Sequence, residues 1–179
     1  MPNLEAAYGL LLPWFVPGLA IFVLVGLGVA RRVARRLRTD VAIAFALIVS
    51  FGVIVSATLT PLRGDFNFAA VGGTCDLSRL GLAPIGDLLR IDDTSLNIVM
   101  FIPFGIAIGL LGRSRRKAIL IVFAVALPFA IETTQLLVPA LERGCQSADV
   151  IDNLTGLLVG LVGETLGQWV SVRVSRRSR

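Results

Sequence analysis

Apolar residues come in long runs along this chain rather than in the short alternating or helical patterns of a soluble core. Five stretches carry little charge and approach or exceed the length a helix needs to cross a hydrocarbon layer: roughly Leu10 to Ala30, Val41 to Leu59, Leu96 to Leu111, Ala118 to Val138 and Val150 to Val172. The third is the shortest. The pattern predicts an all-α, polytopic transmembrane bundle of about five spans, with residues 1–179 forming one membrane domain. Composition agrees, since 55% of the residues are apolar and only 16% charged.

The basic residues sit between the runs in blocks. Arg31, Arg32, Arg35, Arg36 and Arg38 follow the first run; Arg113, Arg115, Arg116 and Lys117 follow the third; Arg173, Arg176, Arg177 and Arg179 follow the fifth. The alternate connections hold most of the acids, among them Glu5, Asp65, Asp76, Asp87, Asp92, Asp93, Glu142 and Asp149. Placing the basic blocks in the cytoplasm puts the N-terminus outside, the C-terminus inside and residues 61–94 in an extracytoplasmic loop. Residues Met1 to Tyr8 contain no Lys or Arg, so they lack the positive region of a signal peptide, and the first run is expected to remain as a span. The net charge of +5 belongs to these anchoring blocks, and nucleic acid is not an expected partner. The loop also carries a candidate interfacial or re-entrant helix near Ile85 to Ile91, and Trp14 and Trp169 fall where indoles favour headgroups. Cys75 and Cys145 lie in the two outer connections; they either form a disulfide joining these loops or are unrelated.

Candidate chemistry gathers at one level. Asn97 opens the third span, Glu132 and Gln135 lie in the outer part of the fourth, and Asp149, Asp152 and Asn153 open the fifth. All fall within about two helical turns of the outer surface at roughly 1.5 Å per residue. Spacing aligns Pro128, Glu132 and Gln135 on one face, and Asp149, Asp152, Asn153, Gly156 and Gly160 on another. Gly156 and Gly160 allow a neighbouring helix to come close, as do Gly163 and Gly167, while Pro103 and Pro128 free backbone carbonyls at membrane depth. Glu132 needs a partner there, for which Arg143 and Asn97 are the candidates. Glu164 lies deeper and reads as a separate packing residue.

The absence of histidine removes Ser-His-Asp and Cys-His chemistry and most zinc sites. Acid/base work or metal binding by Glu132 and Asp149 is chemically open, but no nucleophile motif, phosphate loop or ligand repeat accompanies them. No metal or cofactor is therefore expected.

The third span reads Asn97-Ile-Val-Met-Phe-Ile-Pro103-Phe-Gly105, followed later by Glu132-x-x-Gln135, Arg143, Asp149-x-x-x-Asn153 and Gly156. In this ordered set the chain resembles the VanZ-like family over a core of residues 94–160. The resemblance implies a bacterial cell-membrane protein and a connection with susceptibility to the lipoglycopeptide antibiotic teicoplanin, without attaching a reaction. Three readings of the polar residues stand beside it. They form an outer-leaflet pocket for an envelope lipid or lipid-linked cell-wall precursor, with Arg143 at its mouth; they catalyse a reaction on such a lipid; or they only tie the helices of a structural or assembly subunit together.

Overall fold

The computed structural model describes residues 13–61, 74–84, 86 and 92–177, with the side chains of 166–177 excepted. The expected helix near Ile85 to Ile91, the Trp169 side chain and the loop charges Asp65, Asp87 and Arg90 lie outside these. The chain is an all-helical bundle: α1 (Phe15–Leu37), α2 (Val41–Thr58), α3 (Asp93–Gly109), α4 (Arg115–Leu137) and α5 (Ser147–Arg177), with a 3-10 turn at Pro139–Leu141. Among the described residues there is no strand. Among the described residues three helices, α1, α2 and α4, are long and apolar enough to cross a membrane, and α3 is a shorter apolar helix of 17 residues.

Local chemistry fixes the helix starts. Asp92 and Ser95 form a reciprocal capping box at α3, and Ser114 accepts from the Lys117 N–H at α4. Between α1 and α2 the chain reverses through Arg38, whose φ of 56° is left-handed. Inside the helices, Ser50, Thr58, Thr133, Thr134 and Thr155 donate to carbonyls of the preceding turn, which satisfies their hydroxyls in an apolar setting.

The core lies among α2, α3, α4 and α5, with Ile54, Phe101, Ile108, Ile131 and Leu157 fully enclosed. Phe51 joins the helices, with ring contacts to Phe22 of α1, Phe104 of α3 and Phe123 of α4. A second small cluster of Ala30, Ala34 and Ala44 lets α1 lie close against α2. The outward faces are apolar too: Val16, Leu24, Leu27, Val99, Val122 and Leu158 are all exposed. Water would penalise such a surface, and hydrocarbon matches it.

α1 and α2 run antiparallel, since Gly18 meets Ser56 and Gly26 meets Phe45. α3 and α5 run parallel, since Ile98 meets Gly156 and Ile102 meets Gly160. The Arg-rich ends of α1 and α4 meet: the Arg116 guanidinium donates to the Arg36 carbonyl, while Lys117 Nζ caps α3 through Gly109 O at 2.6 Å and Leu111 O at 3.0 Å. The bundle therefore has one basic end and, at the opposite end, the polar residues described next.

Candidate functional site

The contact of α3 with α5 is the most extensive between helices, and glycine makes it. Gly156 faces the Ile98 carbonyl, and Gly160 faces the Ile102 carbonyl and the Gly105 Cα, so closely that a Cβ on either would overlap backbone. Gly105 returns the approach from α3 against Leu157 and Gly160. Backbone on backbone at this point brings the beginnings of the two helices, Asn97 on one and Asp149, Asp152 and Asn153 on the other, to one level. Pro128 is fully buried on α4, whereas Pro103 is exposed on α3, and both helices continue through their prolines.

Several of these polar groups have partners of their own. Glu132, only 4% exposed, accepts a 2.7 Å hydrogen bond at Oε2 from the Gln146 backbone N–H. Gln135 Nε2 donates to Thr58 O at 2.9 Å. Arg143 Nε donates to Thr60 O at 3.1 Å, and a terminal nitrogen of the same guanidinium donates to Ala57 O. The last carbonyls of α2 have no helical partners of their own, so Gln135 and Arg143 together cap that helix. Asn97 places its side chain beside the Asp149 carboxylate. Asp152 forms an ion pair with Arg79, whose side chain is about a quarter exposed while Asp152 is enclosed.

Arg79 arrives from the loop 70 residues earlier because Cys75 and Cys145 are joined as a disulfide with a Cα separation of 4.6 Å. Beside the bridge, Asp76 N–H donates to Cys145 O at 2.8 Å and Ser147 N–H to Asp76 O at 2.9 Å, a single parallel bridge between the two connections. Ser147 Oγ donates to Arg79 O at 2.7 Å, and the Ser78 N–H to Asp76 Oδ1 at 2.8 Å, which holds the Asp76 pKa below the ordinary carboxylate value. The loop is thus latched onto the start of α5.

By charge the cluster is acidic. Asp93, Glu132, Asp149 and Asp152 lie within electrostatic range of one another or of the same cations, Arg79 and Arg143. Burial pushes the Arg143 pKa down, and Asp149, Asp93 and Glu132 act in the other direction. Two enclosed acceptors, Asp152 Oδ1 and Asn153 Oδ1, have no hydrogen-bond partner among the described residues, and both side chains are 1% exposed.

The structure therefore brings Asn97, Glu132, Asp149, Asp152 and Asn153 to one end of the bundle, and it distributes their partners differently from the sequence expectation. Glu132 takes its hydrogen bond from a backbone amide rather than from Arg143 or Asn97, because the disulfide-linked segment turns the Gln146 N–H toward it; Arg143 directs its donors to the open carbonyls of α2 and meets Glu132 through charge alone. Arg143 consequently helps close α2 instead of standing at a mouth. Sequence reasoning missed Arg79 and the α2 terminus. Arg79 is a loop cation with no motif around it in the sequence; a buried Asp152 needing a cation was the available signal. No group of three or more His, Cys, Asp or Glu among the described residues has the arrangement to hold a metal ion.

Apolar outward faces, helices of spanning length and a buried polar cluster at one end define a helical membrane protein. The VanZ/LLP1 family model matches residues 53–166, well over half of the chain, and the protein belongs to that family. The match begins inside α2 and ends in α5, and so takes in both glycine-lined helices and the polar end. No curated protein and no solved structure matches the chain.

Proposed function

We propose that this is a multi-pass protein of the bacterial cell membrane, N-terminus outside and C-terminus in the cytoplasm, whose outer polar cluster binds the headgroup of an envelope lipid or a lipid-linked cell-wall precursor. Occupancy of that site alters the access of a lipoglycopeptide such as teicoplanin to its target. The observation that carries the reading is the pair of enclosed acceptors, Asp152 Oδ1 and Asn153 Oδ1, left without donors beside an excess of carboxylates. An unmet buried polar group costs about 1–3 kcal/mol; Ser56 Oγ is a lone one packed against Gly18, whereas Asp152 Oδ1 and Asn153 Oδ1 lie on adjacent residues at the start of one helix, so two donors are missing at one place. Acceptors held ready and unmet suit a ligand rich in hydroxyl, amide or ammonium donors. A headgroup or the sugar and peptide portion of a precursor has these groups and sits at this depth.

The test is thermal stability of the purified wild type and Glu132→Gln in detergent, with and without extracted envelope lipids. Glutamine retains an oxygen for the Gln146 N–H, so the variant is expected to fold. The proposal predicts that lipid raises the wild-type midpoint by clearly more than the variant's, since any anionic lipid held at the basic end acts on both alike. A variant that melts early, with neither protein responding to lipid, would assign the cluster to helix packing alone.

A further inference from the structure

At the opposite end, two grooves open side by side. One, of about 520 Å³, is lined by Arg32, Arg35, Arg36, Arg38 and Arg116, with no carboxylate in its wall. The other, of about 850 Å³, shares Arg35 and Arg38 with it and runs on past Arg31 to the end of α3, with Asp40 as its one lining acid. The shared arginines make them one basin. Its walls come from α1, α2, α4 and the end of α3, with α1 and α4 joined by the Arg116 to Arg36 hydrogen bond, and the left-handed Arg38 turns the chain sharply beneath it.

The face of α1 that leads into the basin is apolar. Leu24, Leu27, Arg31 and Arg35 follow steps of three and four residues and so share one side of the helix, with Arg38 at its C-terminal cap. Leu24 and Leu27 are 67% and 68% exposed. At roughly 1.5 Å per residue, Leu27 stands about 12 Å along the axis from Arg35. One molecule able to satisfy both halves of this stripe has an acyl chain and an anionic head. Guanidinium forks from two helices match phosphate oxygens, which accept paired N–H bonds.

We propose that the basin at the basic end binds the phosphate of an anionic phospholipid, with an acyl chain laid along the Leu24 and Leu27 face of α1. The site is independent of the outer cluster and uses none of its residues. Basic hollows between membrane helices recognise such headgroups by charge and geometry together.

The experiment titrates the purified full chain, in uncharged detergent, with phosphatidylglycerol, with phosphatidylcholine and with inorganic phosphate. Wild type is compared with Arg32→Gln/Arg35→Gln and with Arg113→Gln, whose side chain lines neither groove. Phosphatidylglycerol is expected to bind at least tenfold tighter than phosphatidylcholine, taking about 1 kcal/mol per basic residue near the headgroup. The double variant is expected to lose roughly thirtyfold on the same basis, and Arg113→Gln to match wild type. Wild-type affinity should also fall steeply with added salt, a readout that needs no variant. Equal binding of the two lipids, full affinity in a well-folded double variant, or insensitivity to salt would overturn the proposal. Displacement of phosphatidylglycerol by an equal concentration of inorganic phosphate would overturn it in favour of a free-phosphate site.

Discussion

At the end where α3 and α5 begin, Glu132 and Asp152 are buried, with Asp149, Arg79 and Arg143 half-buried around them, beneath a loop that a disulfide fastens to α5. At the other end, the arginines of α1 and α4 stand exposed around open grooves, and the contacts resolved there are largely caps on backbone carbonyls. Both ends are polar and both terminate the same helices, yet only one is enclosed. Exposed charges stay in high dielectric and interact weakly with the fold, whereas enclosed ones depend on particular partners. The difference implies that substitutions at the first end disturb the fold or its ligand, while substitutions at the second alter what the surface attracts.

The largest break in this contrast is expected where the enclosed end is assembled. Gly156→Leu sets a side chain against the Ile98 carbonyl, which cannot retreat without moving α3, and should cost about 3 kcal/mol or more. A melting curve in detergent measures this, and a wild-type midpoint would show that α3 and α5 do not depend on backbone contact. Next comes Cys145→Ser, which frees the loop carrying Arg79 and should lower stability by about 2–4 kcal/mol. Reduction of the wild type with dithiothreitol should produce a similar drop, and a midpoint unchanged by both treatments would detach the latch from the fold. The smallest effect belongs to the basic end. Arg35→Gln should leave stability within about 0.5 kcal/mol of wild type, and a larger loss would show that the grooves are structural.

The fold was largely legible in the sequence, because lipid makes one demand of a spanning segment, and a run such as Val41 to Leu59 answers it without reference to the rest of the chain. The helix α2 occupies nearly the same residues. The first run was less well bounded, since α1 continues through the arginine block to Leu37; a basic segment leaving the bilayer has no reason to unwind where the charge begins. The glycines were readable for a related reason. Gly156 and Gly160, four residues apart on an apolar helix, signal close approach, though not that the partner would be Gly105 of α3.

The polar end was readable as a gathering and not as a set of bonds. Glu132, Asp149 and Asn97 could be placed at one depth from span boundaries alone. Their partners depend on two connections lying side by side, and no periodicity encodes where Gln146 or Arg79 will come to rest. Arg143 shows the limit best: its charge suggested a carboxylate partner, but the open carbonyls of Ala57 and Thr60 at the end of α2 take its donors. Unmet backbone acceptors at helix ends are a standing requirement of every helix, and searching the two disulfide-linked loops for donors to meet them was the missing step.

Equilibrium binding of a short-chain lipid-linked cell-wall precursor to wild type and Asn153→Leu in nanodiscs addresses the central claim most directly, with the melting midpoint recorded for each. Leucine is close in shape to asparagine and removes an enclosed oxygen that has no partner among the described residues. The account predicts a variant at least as stable as wild type, to within about 1 kcal/mol, whose affinity for the precursor falls tenfold or more. A variant that binds the precursor as wild type does, or one that loses its fold, would contradict the assignment of this acceptor to a ligand.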